Sequence, residues 1–122
     1  MPSTISGLYV IIDPDACRGR SPVDVARMAL EGGASILQWR DKRRDKGDQL
    51  ADARAIVALC GEYGAIFIAN DYPDLALEAC ADGVHLGRED LPPTAVRRLL
   101  GPDLILGLST HSANQARAAA AE

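Results

Sequence analysis

The 122-residue sequence is poor in aromatic side chains, which make up 4% of it: one Trp, three Tyr and one Phe. The apolar bulk comes instead from Ala, Leu, Ile and Val, a texture suited to helices packed on a parallel sheet. Cysteine is also sparse. Cys17, Cys60 and Cys80 are odd in number, far apart and form no C-x-x-C pair. That spacing argues against a disulfide framework or a zinc site and predicts reduced, buried thiols in a cytoplasmic protein. Basic charge is not in excess, because 13 Lys and Arg face 17 Asp and Glu for a formal net charge of −4. Such a balance argues against a nucleic-acid partner. No apolar run is long enough to span a bilayer, and "MPSTISGLYVIID" lacks the basic region of a signal peptide. The first strand is not followed by G-x-G-x-x-G, and G-x-x-x-x-G-K-[ST] is absent, which removes the two commonest nucleotide signatures of open α/β sheets.

What the sequence does have is alternation. "LYVII" (Leu8–Ile12) is a continuous apolar run of strand length. In "SPVDVARMALEGG", Ser21 can cap a helix, Pro22 suits its first position, and Gly32 or Gly33 can end it. "SILQW" (Ser35–Trp39) reads as a second strand. A helix from about Asp48 to Glu62 follows, with Leu50, Ala53, Ile56, Val57 and Cys60 on one face. "AIFIA" (Ala65–Ala69) is a third strand, a short helix lies near Asp74–Cys80, and "GVHLG" (Gly83–Gly87) is a fourth strand. Pro93–Leu100 reads as a helix closed by Gly101, "LILGL" (Leu104–Leu108) as a fifth strand, and a last helix opens near Asn114.

Five β/α units with strands apolar on both faces predict a parallel sheet covered by helices. Two architectures compete: an open doubly wound sheet, and a (β/α)8 TIM-type barrel of which only the first five β/α units are present. A complete barrel has about 250 residues. The last helix runs out in "RAAAAE" without a glycine cap or a basic last turn. The expectation is a single domain over residues 1–122 that forms part of a barrel: a fragment, a truncated product or half of a split barrel. Its outer strands would leave open edges, a liability for aggregation or an invitation to homo-oligomers.

Polar residues gather where the strands end. Gln38, Arg40, Asp41 and Lys42 close the second strand, and Asn70 and Asp71 the third. Glu89 and Asp90 lie just beyond the fourth, and Ser109, Thr110 and His111 end the fifth. Ligand sites of parallel α/β proteins lie at this edge of the sheet. Alternation on the second strand puts Gln38, Arg40 and Lys42 on one face and Trp39 on the other, where it packs under a helix. Arg40 and Lys42 suit phosphate oxygens, Asp71 and Asp90 suit Mg²⁺, and Gln38, Asn70 and Ser109 suit a neutral polar ligand. A pyrophosphate with Mg²⁺ satisfies both sets of charges. Plainer readings stand beside these: Asp90 as a helix cap, His85 as a hydrogen-bonded core histidine, His111 as part of the start of the last helix.

"LQWRDK", "IANDYPDLAL", "ADGVHLGREDLP" and "ILGLSTH" follow one another in this order. Their spacing resembles that of the thiamine-phosphate synthases, whose counterparts read approximately Q-x-R-[DE]-K, N-D-x-x-x-x-A, G-x-H-L-G-x-x-D-L and G-x-S-x-H. The resemblance runs from Leu8 to the last residue. It implies a (β/α)8 barrel and a Mg²⁺-dependent transferase of thiamine biosynthesis, which condenses a hydroxymethylpyrimidine pyrophosphate with a thiazole phosphate and releases pyrophosphate. It further implies that the stretch Gln38, Trp39, Arg40, Asp41 and Lys42 holds the pyrimidine substrate, with Arg40 and Lys42 on its pyrophosphate. Asn70 and Ser109 would contact the same substrate, and Asp71 and Asp90 would bind Mg²⁺. The implied reaction is dissociative, needs no protein nucleophile, and passes through a pyrimidine-stabilised carbocation that the thiazole nitrogen captures. The later family loops that hold thiazole phosphate have no counterpart in this sequence. Two alternatives are a thiazole tautomerase-like relative and a non-catalytic chain that keeps only the pyrimidine and metal half-site.

Overall fold

A computed structural model describes residues 5–87 and 90–121. Five parallel strands alternate with helices: β1 (Leu8–Ile12), α1 (Pro22–Glu31), β2 (Ala34–Trp39), α2 (Lys46–Tyr63), β3 (Ile66–Asn70), α3 (Pro73–Ala79), β4 (Gly83–Leu86), α4 (Pro93–Leu100), β5 (Ile105–Leu108) and α5 (Ala113–Ala120). A short 3₁₀ helix, Pro14–Cys17, follows β1. The sheet order is β1-β2-β3-β4-β5, so each strand lies beside its neighbours in sequence. A doubly wound sheet reverses its order part-way across. This one does not, and of the two expected architectures the barrel-type winding is the one observed.

The helices start and stop for local reasons. Pro22, Pro73 and Pro93 each open a helix, where a missing N–H costs nothing. Ser21 stands at the N-cap of α1, but its side chain makes no capping hydrogen bond. Gly64 closes α2 in the left-handed region, φ 66°, and its N–H donates to the carbonyls of Cys60 and Gly61. Ser112 caps α5 by accepting from the N–H of Gln115, whose side chain in turn accepts from the N–H of His111.

The two faces of the sheet do different work. Leu37, Trp39, Phe67, Ala69, Val84 and Leu86 face the helices and form the main core with Ala26 and Leu30 of α1, Ala53, Ile56 and Cys60 of α2, Leu75 and Ala76 of α3, and Val96 of α4. Each large side chain buried there contributes roughly 1.5–3 kcal/mol. The opposite, concave face carries a smaller cluster, Ile36, Ile66 and Ile68 with Ile105 against it. Above that cluster the same face turns polar. Among the described residues β1 pairs only with β2, and β5 only with β4. Leu8 and Ile11 of β1 remain more than half exposed.

The cysteine expectation needs correcting. Cys17 and Cys60 are buried, and burial, with the nearby Asp82 charge, pushes the Cys60 thiol up to about 12. Cys80 is exposed, because it ends α3 in the left-handed conformation, at φ 59°, past the last residue that packs on the sheet. Among the described residues no helix is long and apolar enough to cross a membrane.

Candidate functional site

The register of the ladder decides which side chains meet. Tyr9 pairs with Ile36 and Ile11 with Gln38; Gln38 pairs with Ile68, Asn70 with His85, and His85 with Gly107. Partners in a parallel ladder point to the same face. The upper concave face therefore holds Tyr9, Gln38, Asn70 and His85, with Arg40 and Ser109 one step beyond their strands.

These groups are joined by hydrogen bonds. Gln38 Nε2 donates to the Tyr9 hydroxyl at 2.8 Å, and Asn70 Nδ2 donates to Gln38 Oε1 at 2.8 Å. The relay ends at Asn70 Oδ1, which is buried and has no hydrogen-bond partner among the described residues. A buried acceptor without a donor costs about 1–3 kcal/mol, so such an atom points to a missing partner. His85 Nε2 lies 2.9 Å from Ser109 Oγ. Burial lowers the pKa of His85 below its ordinary 6.5 against the opposing pull of Asp90, which leaves the ring neutral at pH 7.

Two glycines make room for this arrangement. A Cβ on Gly107 would sit 2.6 Å from His85 Nδ1, so only glycine lets the imidazole lie across β5. A Cβ on Gly83 would strike the carbonyl oxygen of Ile105. The two positions bring β4 and β5 close enough for His85 to reach Ser109.

The charged part of the site lies at the strand ends. Asp71 adopts a left-handed backbone, φ 69°, and its N–H donates to the His85 carbonyl at 2.7 Å. Its carboxylate pairs with the Lys42 ammonium. Asp90 Oδ2 accepts from the Gly87 N–H at 2.6 Å. It does not cap α4, whose N-cap position is Pro92. Glu89 lies outside the described residues. Arg40 Nη1 donates to Asp13 Oδ2 at 2.8 Å.

The cations from Arg40 to Lys46 each meet a carboxylate. Arg43 pairs with Asp15, Arg44 with Asp41 and Asp52, and Lys46 with Asp74. Only Arg40 and Lys42 among them border the cavity. It has two adjoining parts that share Arg40, Asn70 and Ser109. One, about 380 Å³, is charged and adds Lys42, Asp71, Gly87 and Asp90. The other, about 410 Å³, is neutral apart from the shared Arg40 and adds Tyr9, Ile11, Gln38 and His85.

Two expected site residues stand elsewhere. Trp39 is 1% exposed and buried toward α2, where its Nε1 donates to Gln49 Oε1 at 2.9 Å. Asp41 turns the loop after β2: it accepts from the N–H groups of Arg43 and Arg44 and from the Arg44 side chain. Trp39 points away from the cavity because the strand alternates, and Asp41 lines neither part because its loop contacts hold it. Thr110 and His111 are exposed and line neither part.

The family model for thiamine monophosphate synthase matches residues 8–122. The chain belongs to that family. It is 57% identical over 101 residues to a thiamine-phosphate synthase of Chlorobium limicola, covering 82% of this chain and 48% of that protein. A thiamine-phosphate synthase of Shouchella clausii is 46% identical, over 89% of this chain and 52% of its own length. Among solved structures, a thiamine phosphate pyrophosphorylase from Pyrococcus furiosus superposes with a TM-score of 0.85 at 37% identity, covering 93% of this chain and 55% of that one. The chain thus spans about half the length of the relatives it matches.

In this member of the thiamine monophosphate synthase family, Tyr9, Asp13 and His85 join the expected residues at or beside the site. His85 is hydrogen-bonded as expected of a core histidine, yet it faces the cavity. It is a fixed letter of the G-x-H-L-G pattern, and its even spacing from Gly83 on one strand was the signal available. Tyr9 was concealed inside an apolar run. For Asp13 the sequence offered only a place just after a strand.

Proposed function

We propose that this chain supplies the pyrimidine and pyrophosphate half of a thiamine-phosphate synthase active site. The reaction is transfer of a hydroxymethylpyrimidine from its pyrophosphate to the ring nitrogen of a thiazole phosphate. One C–O bond breaks, one C–N bond forms, and pyrophosphate leaves with the bonding pair. The observation that carries the reading is the division of one cavity into a charged part and a neutral part that contains an unused acceptor, Asn70 Oδ1. A flat ligand with an N–H donor and an anionic tail satisfies both.

The residues divide the work accordingly. Asn70 Oδ1 accepts from the ring's amino group, with Gln38 and Tyr9 fixing the orientation of the amide. Ser109 and the neutral His85 border the same ring. Arg40 and Lys42 take the pyrophosphate oxygens, where negative charge accumulates as the C–O bond breaks. The apolar floor of Ile36, Ile66 and Ile68 keeps water from below the reacting carbon. Among these residues none serves as a nucleophile, and the scheme needs none.

The acidic pair fits a Mg²⁺ ion. A Cβ on Gly87 would lie 3.2 Å from Asp90 Oδ2 and 3.9 Å from Asp71 Oδ1, so the two carboxylates converge over a position kept open by glycine. Among the described residues no cluster of three or more potential ligands is found. Two carboxylates agree with the habit of Mg²⁺, which completes its shell with water and substrate phosphates. When bound, the ion would neutralise charge on the leaving pyrophosphate.

The test is calorimetric titration of the purified chain with the pyrimidine pyrophosphate in Mg²⁺, beside Asp71→Ala and Asp90→Ala, followed by an assay for thiamine phosphate with both substrates. Binding that both variants weaken by about tenfold or more supports the reading. A folded chain that binds no pyrophosphate, or variants that bind as well as the parent, would reject it.

A further inference from the structure

We infer that Asp13 is a positioning residue that holds the Arg40 guanidinium over the charged part of the cavity. Asp13 sits directly after β1 and is fixed at both carboxylate oxygens. Oδ1 accepts from the N–H of Asp15 at 3.0 Å and so caps the 3₁₀ helix. Oδ2 accepts from Arg40 Nη1 at 2.8 Å. The Arg40 main chain is tied to the same strand end, its N–H donating to the Ile12 carbonyl at 2.9 Å.

A long arginine side chain that is 43% exposed would otherwise sample many rotamers, and ordering it on a ligand costs conformational entropy. Asp13 occupies one of the five guanidinium N–H donors and leaves four for phosphate oxygens. Its position differs from that of the other partners in the same loop. Asp71, which pairs with Lys42, itself lines the cavity; Asp15, Asp41, Asp52 and Asp74 hold cations that do not reach it. Asp13 lines neither part of the cavity, so it acts through Arg40.

The inference rests on the pyrophosphate reading above, and the experiment separates the two. Asparagine caps helices as well as aspartate does. In Asp13→Asn the amide oxygen can keep the Asp15 cap while its NH₂ group offers the guanidinium no acceptor. The full chain, Asp13→Asn, Arg40→Ala and the double variant are titrated with inorganic pyrophosphate in Mg²⁺ by calorimetry, with thermal unfolding followed in parallel. The expected result is about three- to tenfold weaker binding in Asp13→Asn at an unchanged unfolding midpoint, and no further loss when Asp13→Asn is added to Arg40→Ala. Asp13→Ser, another good cap without a charge, should behave alike and serves if the asparagine variant unfolds. Binding by Asp13→Asn as tight as or tighter than the parent's, or an equal loss in the Arg40→Ala background, overturns the inference alone. A parent chain that binds no pyrophosphate removes the underlying reading and the inference with it.

Discussion

The ammonium of Lys42 and the carboxylate of Asp71 are paired across the ends of β2 and β3. The cation assigned to a phosphate thus neutralises the carboxylate assigned to a metal. An incoming divalent cation must displace Lys42, which is then available to an anion. Lys42→Ala is expected to tighten binding of Mn²⁺, as a spectroscopic stand-in for Mg²⁺, by at least about two- to fivefold in the absence of phosphate, because exposed pairs contribute up to ~1 kcal/mol and only the Lys42 side of this one is exposed. The same variant should weaken pyrophosphate binding. Paramagnetic resonance of free Mn²⁺ reads the first effect, and an unchanged affinity would show that the ammonium does not compete.

Gln49 is fully buried and satisfies three groups at once, the indole N–H of Trp39 and the carbonyls of Asp41 and Arg44. Gln49→Ala leaves these without partners inside the core. We expect a loss of about 2–4 kcal/mol in urea unfolding. Trp39 is the sole tryptophan, so its fluorescence reports directly on this site. A loss under 1 kcal/mol would mean that water replaces the amide.

Burial raises the pKa of Asp41, but the hydrogen bonds from Arg43 and Arg44 outweigh it, and the carboxyl ends below its ordinary 3.8. A depressed carboxylate stabilises the fold above its unfolded value, and that stabilisation is lost as pH falls through the folded value. Asp41→Asn should therefore cost about 1–2 kcal/mol near pH 7, and the gap to the parent should close as the pH falls below 3.8. Urea midpoints from neutral to acid pH measure it; a gap independent of pH would remove ionisation from the explanation.

Gly107→Ala puts a methyl against the imidazole of His85. The chain should stay folded, since the obstacle is the edge of a side chain. The ring must rotate, the contact with Ser109 breaks, and pyrimidine pyrophosphate should bind more weakly while inorganic pyrophosphate is unaffected. Equal losses for both ligands would contradict the assignment of His85 to the neutral part. Imidazole carbon shifts in the NMR spectrum would follow the ring directly.

Much of this architecture could be read from the sequence, for identifiable reasons. Leu8–Ile12 and Pro93–Leu100 were delimited as observed, because an apolar run between turns and a Pro-to-Gly bracket are local signals. The placing of Trp39 under a helix and Gln38 in the cavity follows from a period of two. Other features were hidden because they depend on partners distant in sequence. Gln49 looks like a misplaced polar residue until Trp39 is opposite it. Asp13 gains a role only through Arg40, 27 residues later. Cys80 resembles a buried thiol in composition, and only the left-handed turn that ends α3 brings it to the surface.

The sequential strand order has a consequence for how the molecule is made. Among the described residues each strand from β2 onward pairs with the one just before it, so none of these pairings waits on a later segment. Each pairing spans a helix and so is not local, but docking every new unit on the one before it lets structure grow from the N-terminus during synthesis. β1, β2 and β3, which carry Tyr9, Asp13, Gln38, Arg40 and Asn70 on or directly after them, can be paired while later segments are still on the ribosome. The scaffold of the cavity would then be in place before His85 and Ser109 arrive to close its far side.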